Sequence, residues 1–475
     1  MQKPLLVMKF GGTSVGSPDE IARAADLIAE QISTYRVAVI VSAMSQVTNT
    51  LLATLDASGR RDEATVEANL ATIHRKHLDA CTELVSSERQ AVTIAGIDKI
   101  LGDFDRIARG MLLLGERPAR SEDEAVPTGE KLSSLLLSEV LQQRAIDAVP
   151  VAGTGVIVTD AAFGGASPLL DETAHKAATC LGPIFDRGAV PVITGFNGAT
   201  EDGVPTTLGR GGSDFSAAII AAALDADELW IWTDVSGILT ADPRIVSDAR
   251  VLADVTYSEA AELAYNGAKV LHPRTLAPLV EKKIPVWIKN SFEPHQPGTR
   301  ISDQPPANLG VRAVTSLPDV TLVSIEAVSS SLSGAQLMAR ALGSAARTKV
   351  EVLLLTRSSF RQNFCMLVRT GEVATLLYSL REELALELAH GYVHPIEVDH
   401  SVGLLAAVGE GMRGTPGFAG RLFAAMSENA INVIAIAQGS SEITIAVVVG
   451  ETDLTKAVQA IHAQCGLGHP IPMPA

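Results

Sequence analysis

Apolar positions arrive in short dense runs at the start of the chain. Leu5 to Phe10 is nearly all apolar and is ended by Gly11-Gly12-Thr13-Ser14, after which Ser17-Pro18-Asp19-Glu20 opens a helix-period pattern through Ile28. That order predicts strand, glycine turn, helix. Val37 to Val41 predicts a second strand, followed by the polar turn Ser42-Ala43-Met44-Ser45-Gln46 and another helix, the alternation of a parallel α/β sheet. Residues 50–145 read as largely helical, and strands are predicted again at Ala148 to Val151, Ala189 to Thr194, Glu228 to Thr233 and Ile284 to Ile288.

The pattern then changes. Pro294, Pro297, Gly298, Pro305 and Pro306 form a turn-rich stretch that predicts a boundary, with a first domain over 1–302. Beyond it come Val320 to Ile325 (strand), Gly334 to Gly343 (helix), Val350 to Leu355 and Phe364 to Val368 (strands) and Glu372 to Leu386 (helix). The order recurs with Gly403 to Val408, Gly417 to Asn429, Ile431 to Ala437, Glu442 to Val449 and Asp453 to His462. Two β-α-β-β-α copies, placed at 303–398 and 399–475, suggest a paired ligand-sensing or dimerisation module.

Composition narrows the partners. With 475 residues the chain is about three times a typical domain, and 47% hydrophobic against 19% charged residues excludes a disordered chain. Thirty-eight Lys and Arg against 54 Asp and Glu give a net charge of −16, which disfavours nucleic acid and anionic membranes as partners. The four cysteines form no CxxC pair and read as reduced thiols, with no metal-ligating set of protein residues expected. No apolar run approaches the roughly 18 residues that span a bilayer, and Met1 to Phe10 lacks a signal-peptide core, so the expected location is cytoplasmic.

Three segments carry candidate chemistry. Lys9-Phe10-Gly11-Gly12-Thr13-Ser14 places a lysine and free backbone amides before a helix, a phosphate-binding arrangement; the plainer alternative is a tight βα turn with a surface lysine. In Thr206-Thr207-Leu208-Gly209-Arg210-Gly211-Gly212-Ser213-Asp214, a guanidinium suited to a carboxylate and an aspartate suited to an ammonium, or to a metal through water, bracket two glycines, although Ser213 or Asp214 also makes an ordinary N-cap. Thr233-Asp234 lies just past a strand end, where open α/β sheets bind ligands, and Asp242-Pro243-Arg244 and Lys269 follow. Trp230 and Trp232 read as packing groups, His272 as structural and Glu122-Asp123-Glu124 as a solvated face, whereas Glu130 sits in a less charged setting. Walker A and protein-kinase motifs are absent.

Together these segments resemble the aspartate kinases of the amino-acid kinase family. The matching stretches are Lys9 to Val15, Val41 to Met44 with Thr48-Asn49, Gly129 to Ser133, Thr207 to Asp214, Trp232 to Pro243 and Gly267 to Thr275. The C-terminal repeats resemble paired ACT domains, the second through Gly409-Glu410-Gly411-Met412 and Gln438 to Ile443.

The resemblance implies a mostly parallel sheet sandwiched by helices, followed by two βαββαβ ACT regulatory domains. It implies transfer of the ATP γ-phosphoryl group, with Mg²⁺, to the side-chain carboxylate of L-aspartate, the first step towards lysine, threonine and methionine. Lys9 would stabilise the transferred phosphoryl, with Gly11, Gly12 and Ser42 lining its path. Arg210 would clamp a substrate carboxylate, Glu130 would receive the α-ammonium, and Thr48, Ser213 and Asp214 would complete the pocket. Thr233, Asp234, Asp242, Arg244 and Lys269 fall at nucleotide-binding positions. A lysine or threonine effector and a homo-oligomer, dimer or higher, are further expectations. Two departures stand out: Leu239 holds a place where the family often has tyrosine, and Ser329 to Ala335 replaces a more glycine- and aromatic-marked effector loop. The alternatives are another kinase of the same fold and an amino-acid sensor without turnover. The carboxylate acceptor needs no general base, so the lack of a catalytic histidine fits the kinase.

Overall fold

The computed structural model describes residues 3–268, 271–304, 310–328, 333–358 and 363–468. Lys269 and Ser329 to Leu332 lie outside the described residues.

Among the described residues, ten strands belong to the first part of the chain: β1 (Leu5–Phe10), β2 (Arg36–Val41), β3 (Ala148–Val151), β4 (Val190–Thr194), β5 (Asn197–Ala199), β6 (Pro205–Thr207), β7 (Glu228–Thr233), β8 (Asp254–Thr256), β9 (Val286–Asn290) and β10 (Thr299–Ser302). Its helices are α1 (Pro18–Gln31), α2 (Val47–Gly59), α3 (Glu63–Leu84), α4 (Ser87–Leu114), α5 (Ala119–Ala125), α6 (Thr128–Gln143), α7 (Leu170–Asp186), α8 (Gly212–Ala223), α9 (Tyr257–Tyr265) and α10 (Pro273–Lys282). Eight strands form one sheet in the order β3-β4-β2-β1-β7-β9-β10-β8, parallel except where β10 meets β9, while β5 and β6 make a separate antiparallel ribbon. The expected mostly parallel α/β sheet is therefore present. β1 is central, buried along its whole length, and flanked by β2 and β7. From β1 the chain adds β2, β3 and β4 on one side, with β4 inserted between β2 and the edge strand β3, and then crosses to β7 and β9 on the other, so the carboxyl ends of β1, β2 and β7 border the point where the direction reverses.

Local chemistry sets the helices. Ser17 caps α1 by accepting from the Glu20 amide, with Pro18 at its first position, as the sequence pattern predicts. One face of β1 and β2, Leu6, Met8, Phe10, Val37, Val39 and Val41, packs in a single apolar cluster with Ile21 and Ile28 of α1 and Leu136 and Leu137 of α6. The opposite face is covered in part by α8, whose Ala217 to Ala221 are wholly buried.

The second compact unit comprises residues 239–252, 258–269 and 305–475, so two segments from within 1–302 belong to it. Besides most of α9, it contains β11 (Ala313–Ile325), β12 (Leu354–Arg357), β13 (Phe364–Arg369), β14 (Glu397–Val408), β15 (Val433–Gln438) and β16 (Thr444–Gly450), with helices α11 (Gly334–Arg347), α12 (Val373–Glu383), α13 (Ala385–Ala389), α14 (Phe418–Glu428) and α15 (Leu454–Gln464). Six strands pair antiparallel in the order β12-β13-β11-β14-β16-β15. β11 and β14 are longer than the sequence predicts, because each serves both repeats. Val320–Ile325 of β11 pairs with β13, while Ala313–Leu317 pairs with the half of β14 that also pairs with β16, and register shifts between Leu317 and Leu322 mark the junction. The last strand of the second repeat is thus the first half of β11, which precedes the first repeat in the chain.

A fragment starting at residue 399 lacks that strand. It should show no cooperative thermal transition by circular dichroism, whereas a fragment starting at residue 310 should show one.

Candidate active site

The site is built where β1, β2 and β4 end. The amide of Gly11 donates to the Trp232 carbonyl of the neighbouring strand (3.0 Å), and the Ser42 amide to the Phe10 carbonyl (3.1 Å), so the two turns after β1 and β2 are fixed to the sheet and to each other. Ser45 Oγ adds a bond to the Gly12 carbonyl (2.9 Å), and Lys76 Nζ of α3 donates to the Ser45 carbonyl (2.6 Å). Burial holds Lys76 below the usual lysine range, opposed by Glu20. Gln46 then takes a left-handed conformation (φ 69°) and starts α2.

Close backbone contacts bring two more helix starts to this place. A Cβ on Gly129 would fall 2.5 Å from the Ala43 Cβ, so only glycine lets the start of α6 lie against the 42–47 turn. A Cβ on Gly212 would fall 2.6 Å from the Phe196 ring, which places the start of α8 beside the turn after β4. The N-termini of α2, α6 and α8 therefore converge, and each brings a partial positive charge.

They border a cavity of about 310 Å³. Lys9, Gly12, Ser42, Thr48, Glu130, Ser213 and Asp214 line it, so seven of the residues expected from sequence are brought together. Among the described residues Lys9 is the one basic side chain in the lining; it is 6% exposed, and its Nζ lies 2.5 Å from Asp214 Oδ1 as a charge contact rather than an aligned hydrogen bond. Glu130 is 3% exposed and its Oε2 has no partner among the described residues. Burial pushes its carboxyl up to about 7, against the lowering effect of the Glu130 and Ala43 amides and of Lys9.

Other expected residues lie elsewhere. Gly11 is beside Lys9, with its amide spent on Trp232. Arg210 is exposed in the turn that leads into Gly211 and Gly212 at the cavity wall. Thr233 and Asp234 share a hydrogen bond at the end of β7, next to β1. Asp242 and Arg244 belong to the second unit, where they pair with each other (2.5 Å). Sequence reading missed Phe196, which lines the cavity with φ 74°, an uncommon conformation for an aromatic residue. It also missed Asp123: far from a solvated face, this carboxylate is 1% exposed, because three donors from the loops around Gly164 and Thr207 enclose it. Only the neighbouring Gly195 hinted at the first, and nothing in the local pattern distinguished Asp123 from Glu122 and Glu124.

The arrangement suits a small molecule carrying both signs of charge. Helix starts and Lys9 favour anionic groups, and Glu130 offers a buried carboxylate to a cation. Among the described residues no group of three or more His, Cys, Asp and Glu is placed to hold a metal ion by itself.

The profile of the amino acid kinase family matches residues 4–290. The chain belongs to that family. An ACT domain profile matches residues 405–464, within the second unit. An aspartokinase of Schizosaccharomyces pombe is 33% identical over 503 residues, covering 97% of this chain and 93% of that protein. A bifunctional aspartokinase/homoserine dehydrogenase 1 of Zea mays is 34% identical over 466 residues, covering 96% of this chain and 50% of that protein. The chain thus spans about half the length of such bifunctional relatives. Among solved structures, E. coli aspartokinase III in complex with aspartate and ADP is similar with a TM-score of 0.83 and 31% identity, covering 97% of this chain and 99% of that one. No helix among the described residues is long and apolar enough to cross a membrane.

The raised Glu130 value has a consequence for stability. A carboxyl that titrates near 7 when folded and near its ordinary 4.5 when unfolded contributes fully below pH 4.5, and that contribution disappears as pH rises through 7. Glu130→Gln should therefore gain stability over the parent as pH is raised from about 5 to 8, by an amount on the order of 3 kcal/mol; denaturant melts at both pH values test this. An unchanged gap between the two proteins would contradict it.

Proposed function

We propose that this protein is an aspartate kinase, transferring the γ-phosphoryl group of ATP to the β-carboxylate of L-aspartate to give 4-phospho-L-aspartate and ADP. The observation that carries this is the cavity at the ends of β1 and β2, where one buried lysine, one buried glutamate and three helix N-termini converge. The likeness over nearly the full chain to a structure holding aspartate and ADP supports it.

In this reading a carboxylate oxygen of aspartate attacks the γ-phosphorus, the bond to the β-phosphate oxygen breaks, and no proton has to be removed from the nucleophile. The obstacle is repulsion between anions. Lys9 counters it from the floor of the cavity, after exchanging Asp214 for the phosphoryl oxygens, and the Gly11-Gly12 and Ser42 turns beside it are held in place beforehand by their bonds to the sheet. Glu130 takes the α-ammonium of aspartate, Arg210 folds over its α-carboxylate from the mouth, and Thr48, Ser213 and Asp214 complete the pocket. Thr233, Asp234, Asp242, Arg244 and Lys269 are assigned to the nucleotide. Mg²⁺, when bound with the nucleotide, would supply charge neutralisation on the phosphates. The second unit is assigned to regulation by an amino acid, lysine or threonine, supported by its ACT profile and by an E. coli aspartokinase III structure with lysine and aspartate at a TM-score of 0.79.

The test is formation of acyl phosphate from aspartate and MgATP, trapped as the hydroxamate, with glutamate as control and lysine, threonine and methionine as additions. Folded protein that makes no product would leave an amino-acid sensor as the better reading. Lys9→Ala should keep the fold and lower kcat by at least about 100-fold. Arg210→Ala should weaken aspartate binding about 10- to 100-fold and leave ATP binding unchanged in calorimetric titration. Equal losses for both ligands would contradict the Arg210 assignment.

A further inference from the structure

Arg210 is exposed, and its neighbours on both sides, Gly209 (φ 76°) and Gly211 (φ 70°), adopt conformations that favour glycine. Such a turn is not stiff by itself, so its two ends must fix where the guanidinium stands. One end is the start of α8, through the Gly212 amide on the Gly209 carbonyl and the Phe215 amide on the Gly211 carbonyl. The other end is Thr207, and every polar group of Thr207 is engaged. Its amide donates to Asp123 Oδ2 (3.0 Å), its hydroxyl to Asp123 Oδ1 (2.6 Å), and its carbonyl accepts from the Ala166 amide (2.8 Å).

Asp123 does more than hold Thr207. Its Oδ2 also accepts from the Gly164 amide (2.9 Å), so one carboxylate on α5 joins the loop 160–166 to the base of the Arg210 turn. The two loops touch independently: the hydroxyls of Thr159 and Thr206 are 2.6 Å apart, and a Cβ on Gly209 would lie 3.4 Å from the Gly165 Cα. Asp123 is 1% exposed, and among the described residues no lysine or arginine pairs with it. A carboxylate buried without a cation depends on the hydrogen bonds it accepts, and here all of them come from these two loops.

We infer that Asp123 is a positioning residue for aspartate recognition, acting through Thr207 to set the turn that carries Arg210. The inference rests on the assignment of Arg210 to the substrate carboxylate. It makes a demand that a general structural role does not: loss of Asp123 should weaken aspartate and spare ATP.

Steady-state kinetics with each substrate varied would test this in Asp123→Ala, Asp123→Asn, Thr207→Val and Arg210→Ala, with the parent alongside. Asp123→Ala should raise the KM for aspartate by at least about tenfold and leave the KM for ATP within about twofold. Asp123→Asn should restore most of the affinity, since its carbonyl can still accept from both amides while the Thr207 hydroxyl reverses its role to accept from the side-chain NH₂. Thr207→Val should shift aspartate KM in the same direction by less. Adding Asp123→Ala to Arg210→Ala should cost almost nothing further, because the two act as one unit. An unchanged aspartate KM in folded Asp123→Ala, a matching rise for ATP, or full additivity with Arg210→Ala would overturn the inference. If Asp123→Ala does not fold, Thr207→Val with unchanged aspartate KM overturns it instead. A parent protein without aspartate turnover would sink the kinase reading itself, whereas an active parent with an indifferent Asp123 sinks only this inference.

Discussion

A lysine only 6% exposed at the end of a central strand cannot stand alone, because an ammonium removed from water loses several kcal/mol of hydration unless a counter-charge replaces it. Asp214 supplies that charge at 2.5 Å from the first turn of α8, where a carboxylate also favours the helix dipole. That contact ties the first turn of α8 to the end of β1 at the cavity wall. The glycines follow from it: with α8 drawn this near, its first residue meets Phe196 and the residue after β4 meets Ser213, so side chains larger than hydrogen at Gly212 and Gly195 have no room. The pair is also a store of charge. A cation already stripped of most water, and held by a partner that a phosphoryl group can replace, interacts with an incoming anion in surroundings that screen it far less than water does.

Glu130 sits under the opposite demand. It too stands at a helix N-terminus, which by itself would favour the ionised form, yet its carboxyl is pushed up to about 7. Burial outweighs the two amides and Lys9. The cavity thus holds one acid that is fully committed to a lysine and another whose Oε2 is unsatisfied until a donor arrives. The difference between these two carboxylates, lodged in one small space, gives the site its polarity: one end prepared for anions, the other for an ammonium.

Much of this was legible in the sequence, for identifiable reasons. Lys9 with Gly11 and Gly12, and Ser213 with Asp214, sit at strand-to-helix turns, and Gly129 with Glu130 at a helix start, where apolar periodicity and glycine coincide. Contacts between distant turns were not legible. Asp123 is one of three consecutive acids, and its burial depends on Gly164 and Thr207, which no local pattern connects to it. Phe196 owes its left-handed backbone to packing against α8 rather than to its own preference. Short strands such as β8 and β10, with three and four residues, carry too little periodicity to register.

The second unit shows the same limit on a larger scale. Its repeats were legible as two successive copies, and their helix-facing cores are indeed separate: Val323, Phe364 and Met366 pack with α11 and α12, and Leu405, Ile445 and Val447 with α14 and α15. The other face of the sheet is not divided in this way. Alternate residues of the same strands, Val320, Leu322 and Leu367 from one repeat and Val402, Leu404 and Val448 from the other, form a single cluster. A boundary at 398 falls inside β14, through hydrogen bonds and through this shared core. Two-residue alternation reveals which faces of a strand are buried, but not whether the partner across the sheet belongs to the same repeat. Because β11 and β14 run through both halves and bury one face in common, neither repeat can complete its sheet without the other, and the pair folds as one layer.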